Sequence, residues 1–488
     1  MKKEFKKVGL GGAMVVFLIV AAIMAFGLAV IKLNTMVTFL LALIAVCFCA
    51  VIMGMSLDEL QETVLDGCRK CALVIMIMIS VGMVVGSWMI SGIVPSIIYY
   101  GLKLFTPASF LAVGFVICCI VSFFTGSSYA ALGTMGVAFM AIGYGMGINP
   151  ALVAGMSVSG AVFGDKMSPF SDTTNMAPAA AGTDVFKHIK SMLWTVIPAF
   201  VISLILYFVM GLRYSGATAE SVQSIHEIMD VLQETFTISP ILLLIPVITV
   251  VLVAFKVPAM IALIIGAILG VIAGLIAQPQ YTFVQIVTAM ANGFKGEFEN
   301  AAVAKLLNRG GISSMLSTVV YCILALELGE VMMKMGVLNA ILAKIKGFIE
   351  RPANLILSTL LTCLATVLLT TSQYMAILLP GEVFSDSFKK AKIAPWVLSR
   401  TLEDGGTIFA FLVPWSAAAI YTYGVLNVSA LEYLPYAFLA ILCPIFAVIL
   451  AYTGIGVQDL DGKSMRGKTM QPVDMFASEK AAGEGKAR

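Results

Sequence analysis

Apolar runs of about twenty residues recur along this chain, and a run of that length is what a helix needs to cross the hydrocarbon core of a bilayer. They include residues 8–31, 36–55, 71–90, 108–124, 191–212, 238–255, 257–277 and 433–453. No segment between them is long enough to form a soluble domain with an activity of its own, so no enzyme is expected. Of the 488 residues, 60% are hydrophobic and 12% charged, and the mean hydropathy is +1.01; soluble domains are roughly a quarter charged. The expected fold is an all-α polytopic membrane protein whose principal partner is the lipid bilayer. The first run follows MKKEFKK and continues unbroken from Val8 to Ile31. That exceeds the ~7–15 residues of a signal peptide's apolar region, so it reads as a retained helix. Lys2, Lys3, Lys6 and Lys7 put the N-terminus in the cytoplasm.

The scattered net charge of +3 argues for no nucleic-acid or acidic partner. The nine cysteines all lie in or beside apolar runs and read as small hydrophobes. Cys68 and Cys71 form a C-x-x-C, but no second ligand pair follows at zinc spacing, and His188 and His226 stand far apart. No cofactor and no zinc-type site is expected.

An internal repeat organises the chain. Adding 245 to the numbers of Pro107, Thr125, Ser127, Tyr129, Pro150, Gly160, Pro169 and Ser171 gives Pro352, Thr370, Ser372, Tyr374, Pro395, Gly405, Pro414 and Ser416. Upstream, Lys32 and Met36 pair with Lys256 and Met260 at an offset of 224, so the second half carries an extra polar segment around 279–300, read as a loop or surface helix. The expected organisation is a first repeat over 1–213, an acidic extracytoplasmic linker over 214–237, a second repeat over 238–457 and a polar cytoplasmic tail over 458–488. The linker holds Glu220, Glu227, Asp230 and Glu234 without Lys or Arg. An inside N-terminus and an outside linker give the first repeat an odd number of crossings, so the second is inverted. Lys389, Lys390 and Lys392 then lie inside, opposite uncharged Tyr144, Gly145 and Gly147. Each half holds a candidate hairpin, 108–143 and 353–388, forming either two full spans or a re-entrant loop. Its tip is TGSSY, with Thr125, Ser127 and Ser128, or TTSQY, with Thr370, Ser372 and Gln373.

The stretch GDKMSPFSDTTN, residues 164–175, interrupts an apolar helix with a proline and three charges. Proline leaves a carbonyl unpaired, and irregular backbone at membrane depth is tolerated where it is buried or lines a cavity. Asp165, Ser171, Asp172, Thr173, Thr174 and Asn175 add oxygens suited to a hard cation such as sodium, expected at Asp172 and its neighbours. The corresponding segment 394–417 breaks near Pro414. Its acids, Glu403 and Asp404, align with Val158 and Ser159, while Asp165 and Asp172 align with Ala410 and Ala417. The repeat thus keeps the architecture and divides the charges, and two inverted copies folded together bring both breaks to one site. Intramembrane acids mark function by default. Adjacent carboxylates cannot all ionise cheaply, so protons and sodium compete for them. Lys166 and Arg400 stand ready to neutralise an acid or to hold an organic anion. The plainer alternatives are a helix end at Asp165 and Lys166, a surface pair between Arg400 and Glu403 or Asp404, and packing hydroxyls at the hairpin tips.

At GDKMSPFSDTTNMAPAAAGTD (164–184), SRTLEDGGT (399–407) and LEYLPYAF (431–438) the chain closely resembles the NhaC-type sodium/proton antiporter family. The resemblance spans nearly the whole sequence. It implies a bacterial inner-membrane antiporter built from inverted repeats, and it carries Asp165, Ser168, Asp172, Thr173, Thr174, Asn175, Arg400, Glu403 and Asp404 over as site residues. Some members of that group resemble malate/lactate exchangers, so a small organic acid or amino acid stands as the alternative to sodium and protons. Assembly as a homodimer is left open. An ATP-driven pump is excluded by the lack of a G-x-x-x-x-G-K-[ST] loop. Broken helices in inverted repeats favour a carrier over a channel.

Overall fold

A computed structural model describes residues 8–31, 33–70, 72–214, 219–255, 257–298, 310–337 and 351–469, together with 304, 307, 308, 340 and 471. Lys2, Lys3, Lys6, Lys7, Lys32, Cys71, Lys256 and the tail from 472 onward lie outside these. The described chain is helical, with two isolated β-bridges near its end. The first half contains α1 (Leu10–Ala25), α2 (Thr35–Ile52), α3 (Leu57–Lys70), α4 (Ala72–Ile90), α5 (Ile93–Leu104), α6 (Pro107–Thr125), α7 (Ser128–Ala131), a π-helical turn at Leu132–Gly136, α8 (Val137–Gly145), α9 (Pro150–Met167), α10 (Asp172–Ala181) and α11 (Val185–Leu212). After α12 (Ala219–Thr235) come α13 (Leu244–Ala254), α14 (Ala259–Ala277), α15 (Phe283–Asn292), α16 (Ile312–Met335), α17 (Pro352–Thr370), α18 (Gln373–Lys390), α19 (Pro395–Leu412), α20 (Ala417–Leu426), α21 (Ala430–Tyr433) and α22 (Phe438–Thr453).

Among the described residues, five helices are long and apolar enough to cross a membrane alone, or up to nine spans if each bent pair counts as one. Outward-facing Leu, Ile, Val and Phe side chains on α1, α2, α11, α13 and α14 remain exposed, as a lipid-facing surface requires. The chain is a multi-pass membrane protein.

The sequence repeat reappears as a repeat of backbone. α6 and α17 begin and end 245 residues apart, as do α9 and α19, α10 and α20, and the returning hairpin arms Ser128–Gly145 and Gln373–Lys390. Upstream, α2 and α14 begin 224 apart. Left-handed residues recur in register as well: Gly126 (φ 62°) with Thr371 (φ 59°), and Gly182 (φ 74°) with Asn427 (φ 56°). The extra segment of the second half forms α15, started by a Thr282–Gln285 capping box and burying Ile286 and Ala289 while Val284 stays exposed. The acidic face of α3 is only partly solvated, because Glu59 meets Lys334 at 3.5 Å and Lys70 meets Glu330 at 2.6 Å, tying α3 to α16.

The halves interlock. α10 of the first lodges against α18 and α19 of the second, and α20 of the second against α4, α16 and the π-helical turn. Beyond α22 the chain folds back over the starts of α17 and α19. Ala353 N–H donates to the Thr469 carbonyl (3.0 Å) and Ala394 N–H to that of Gln458 (2.9 Å), and the Trp396 indole donates to Gln458 (2.6 Å).

The two hairpin tips use one left-handed position differently. A side chain at Gly126 would run into the backbone of Phe170, whereas Thr371 carries a buried side chain there at a left-handed cost of ~1–2 kcal/mol. Gly126→Ala is expected to lower the thermal unfolding midpoint in detergent, whereas Thr371→Gly leaves it unchanged or raises it. Equal losses from both would contradict this account of the tips.

Candidate functional site

The two broken helices supply the site. The α9 ladder ends at Met167, where the Ser168 N–H still reaches the Gly164 carbonyl (2.8 Å), and Pro169 offers no donor to continue it. α10 resumes at Asp172. The Asn175 amide donates to the freed carbonyls of Pro169 (2.8 Å) and Ser171 (2.7 Å). In the second half α19 stops at Leu412 before Pro414, and α20 resumes at Ala417 with a 47° bend. Each broken helix lies hard against its hairpin through a small residue, since a Cβ on Gly160 or Gly405 would collide with Cys118 or Cys363, another pair 245 apart.

Five ionisable groups converge where the halves meet. Asp165 is 4% exposed, Lys166 0%, Arg400 1%, and Glu403 and Asp404 0%. The Asp165 carboxylate accepts from the Ser128 hydroxyl at the hairpin tip and from Ser171 in the break (2.8 Å), and its main-chain carbonyl accepts from Thr174. Ser171 also exchanges a hydrogen bond with Thr173 (3.0 Å), whose hydroxyl lies beside Glu403. Glu403 Oε1 accepts from Thr407 (2.7 Å). A hydroxyl path therefore joins the acid of one half to the acid of the other. Next to it, Lys166 forms a fully buried ion pair with Asp404, whose Oδ1 also accepts from Thr195 of α11 (3.1 Å). Among the described residues, no donor reaches Glu403 Oε2 or Asp404 Oδ2.

The plainer alternative for Arg400, a surface pair with Glu403 or Asp404, is not what the structure shows. Arg400 is buried, and its Nη1 donates to the main-chain carbonyls of Gly456 (2.9 Å) and Ser191 (3.4 Å). Asp172 and Asn175 are exposed at the head of α10, with the Asp172 charge near enough to act on Asp165. Ser168 is buried within the break and accepts from Phe170 N–H (3.2 Å). At the tips, Thr125 and Thr370 bond back to carbonyls of their own helices (3.3 and 2.8 Å), Ser127 and Ser372 cap the returning arms, and Gln373 is buried, its Oε1 meeting no donor among the described residues. The second tip touches its own break, the Ala417 N–H donating to the Thr371 carbonyl (3.0 Å). Tyr129 and Tyr421, from opposite halves, pack with ring centroids 4.5 Å apart and planes tilted by 52°, and the Tyr421 hydroxyl donates to the Tyr129 carbonyl (2.7 Å). Sequence reasoning passed over Thr195, Thr407, His188, Ser191 and Ser399. For three of these a signal existed, since 188, 191 and 195 share one face of an apolar helix. Among the described residues, no group of three or more His, Cys, Asp or Glu is placed to hold a metal ion.

Residues 160–455 match the Na+/H+ antiporter family. The chain is 35% identical over 452 residues to the Na(+)/H(+) antiporter NhaC of Alkalihalophilus pseudofirmus, covering 93% of this chain and 97% of that protein. It is 36% identical over 418 residues to the Malate-2H(+)/Na(+)-lactate antiporter of Bacillus subtilis, 85% and 89% of the two chains. It is 32% identical over 402 residues to the Arginine/ornithine antiporter ArcD of Halobacterium salinarum, 82% and 83%.

A buried ion pair that loses one partner leaves an uncompensated charge, at a cost of ~3–5 kcal/mol, while replacing both by apolar groups is often neutral. Lys166→Met is therefore expected to destabilise the protein strongly, and Lys166→Met combined with Asp404→Leu to recover most of the loss, as read by thermal unfolding in detergent. Additive losses in the double variant would mean that the two side chains are not a coupled pair.

Proposed function

The chain belongs to the Na+/H+ antiporter family, and on that premise we propose that it exchanges sodium for protons at its buried carboxylates, exposing them to one side of the membrane at a time. The observation that carries the proposal is a charge imbalance. Asp165, Glu403 and Asp404 are three buried acids facing two buried bases, Lys166 and Arg400, a formal deficit of one positive charge. Either a proton or one sodium ion fills it. Both together would leave a surplus charge in a medium where an unpaired charge is costly, so occupancy by one excludes the other and exchange follows.

The surroundings suit both ions. Carboxylate, hydroxyl and carbonyl oxygens from Asp165, Ser128, Ser171, Thr173 and Glu403 are hard ligands of the kind alkali and alkaline-earth cations prefer, and coupled carboxylates share a proton readily. Asp172, at the exposed head of α10, is assigned the outer approach to the site. Because α10 of one half lodges among helices of the other, movement between the halves would open the cluster first to one side and then to the other, in the manner of inverted-repeat transporters. The reading includes an inner-membrane location with both termini cytoplasmic.

The names of two relatives raise the alternative of an organic acid or amino acid. Against it, the cations that would grip a carboxylate are already engaged, Lys166 by Asp404 and Arg400 by two main-chain carbonyls.

The test is the internal pH of proteoliposomes after a sodium gradient is imposed with no organic solute present. Wild type is expected to move protons against sodium, and Asp165→Asn or Glu403→Gln to abolish the movement. Asp172→Asn is expected to raise the half-saturating sodium concentration. A silent wild type would refute sodium/proton exchange and turn attention to malate, lactate, arginine and ornithine.

A further inference from the structure

One contact between the halves borders the carboxylate cluster without belonging to it. Tyr421 of α20 is fully buried, and its hydroxyl donates to the carbonyl of Tyr129 at the first hairpin tip (2.7 Å). The two rings pack with centroids 4.5 Å apart, and Phe411 of α19 lies 6.2 Å from the Tyr129 ring. Gly133 leaves the room this needs, since a Cβ there would stand 2.9 Å from the Tyr421 hydroxyl. The contact falls where α7 runs into the π-helical turn Leu132–Gly136, an irregularity of a kind frequent at functional sites. Ser128, the residue before Tyr129, is the one whose hydroxyl donates to the Asp165 carboxylate.

The second tip is held differently. There the Ala417 N–H of its own break donates to the Thr371 carbonyl (3.0 Å), and the returning arm is one continuous α-helix, Gln373–Lys390. The first-half counterparts are the Asp172 N–H and the Gly126 carbonyl, and among the described residues no main-chain hydrogen bond joins them. Tyr421 has no equivalent either, because Met176 stands 245 residues before it. The first tip thus takes from the opposite half an anchor that the second takes from its own. Packing alone would be served by phenylalanine, which has no hydroxyl to satisfy.

We propose that Tyr421 is a positioning residue for sodium at Asp165, fixing the first tip so that Ser128 stands where the ion needs it. This rests on the sodium/proton reading and adds what sets the affinity for one of the two ions. A proton on Asp165 needs a single carboxylate oxygen. A hard cation gathers several oxygens at set distances at once, and the Ser128 hydroxyl, which has lone pairs as well as a proton to offer, contributes only while its main chain is held in place. Loosening the tip therefore weakens sodium binding and leaves protonation of Asp165 intact. Tyr421 acts through Ser128 and does not touch the ion.

The test is sodium-driven proton movement in proteoliposomes over a range of sodium concentrations. Tyr421→Phe keeps the ring and removes the hydroxyl. It is expected to raise half-saturating sodium about two- to tenfold, the span that one neutral hydrogen bond contributes, while the maximal rate stays within about twofold. Gly133→Ala, which crowds the hydroxyl from the other side, is expected to shift half-saturating sodium the same way, and it decides the question if Tyr421→Phe fails to fold. Ser128→Ala raises half-saturating sodium by itself, and adding Tyr421→Phe to it gives no further rise, because the tyrosine acts through the serine. Unchanged half-saturating sodium in Tyr421→Phe and Gly133→Ala would overturn the inference. So would effects that multiply independently in the double variant, or a loss of maximal rate alone, which marks a merely structural contact. A wild type indifferent to sodium defeats the parent reading and this one with it, whereas an active wild type matched by Tyr421→Phe defeats only the positioning role.

Discussion

Everything in this structure is arranged around keeping charge inside a medium that opposes it. The Lys166–Asp404 pair is fully buried, and desolvating two ions there costs several kcal/mol each before their attraction is counted. Such a pair survives only where neighbouring groups complete its hydrogen bonding. Asp404 takes a third element, Thr195 of α11, as a further donor. The pair also lies across the boundary between the two halves, so the halves cannot separate without exposing both charges. Beside the pair, Asp165 and Glu403 are linked through hydroxyls rather than through a second ion pair.

The two repeats show how one backbone accommodates unlike chemistry. Ser171 reaches six residues back to the Asp165 carboxylate. Its counterpart Ser416 reaches six residues back to the Ala410 carbonyl, because the acid is absent there and the main chain supplies the acceptor. Reciprocally, Asp404 of the second half corresponds to Ser159 of the first. Ser159 bonds Tyr207 (2.8 Å) and Leu439 N–H (3.3 Å), holding α9 against α11 and α22 without any charge. The hydrogen-bonding positions were kept while the charged side chains were divided between copies. Such a division yields one asymmetric cluster instead of two facing acidic sites that would repel each other.

Much of the fold was legible because its signals are local or periodic. Apolar runs marked the spans at 107–125, 185–212 and 260–277 but not the one at 312–335, whose run is interrupted by acids, and the 245-residue offset held for helix ends and even for left-handed caps. Pro169 and Pro414 announced the breaks through the missing N–H. The site was legible in part. The acids were recognisable as unusual in an apolar chain, but burial was not: Asp165 and Asp172 look alike in sequence, yet one is enclosed and the other heads a helix in the open. Arg400 reads in the sequence as a cation for an acid or an organic anion, with a helical-spacing pair to Glu403 or Asp404 as the plainer alternative, whereas its hydrogen-bond partners, the carbonyls of Ser191 and Gly456, come from segments remote in sequence. Main-chain acceptors leave no trace in side-chain identity, and Thr195 became significant only once α11 was seen against α19.

The placement of Arg400 bears on how the cluster is held. Its guanidinium satisfies carbonyls of α11 and of the chain that returns beyond α22, and the same returning chain caps the start of α19 through Gln458. The half-helix carrying Glu403 and Asp404 is thus clamped at its outer end by neutral acceptors and at its inner end by the Lys166 charge. The first clamp ends on neutral main-chain acceptors and does not change when a nearby acid is neutralised. The second is an attraction between two charges and would weaken if either were neutralised. A change of charge in the cluster would therefore act on the side of α19 that faces α9 and α10, next to the break between those two half-helices.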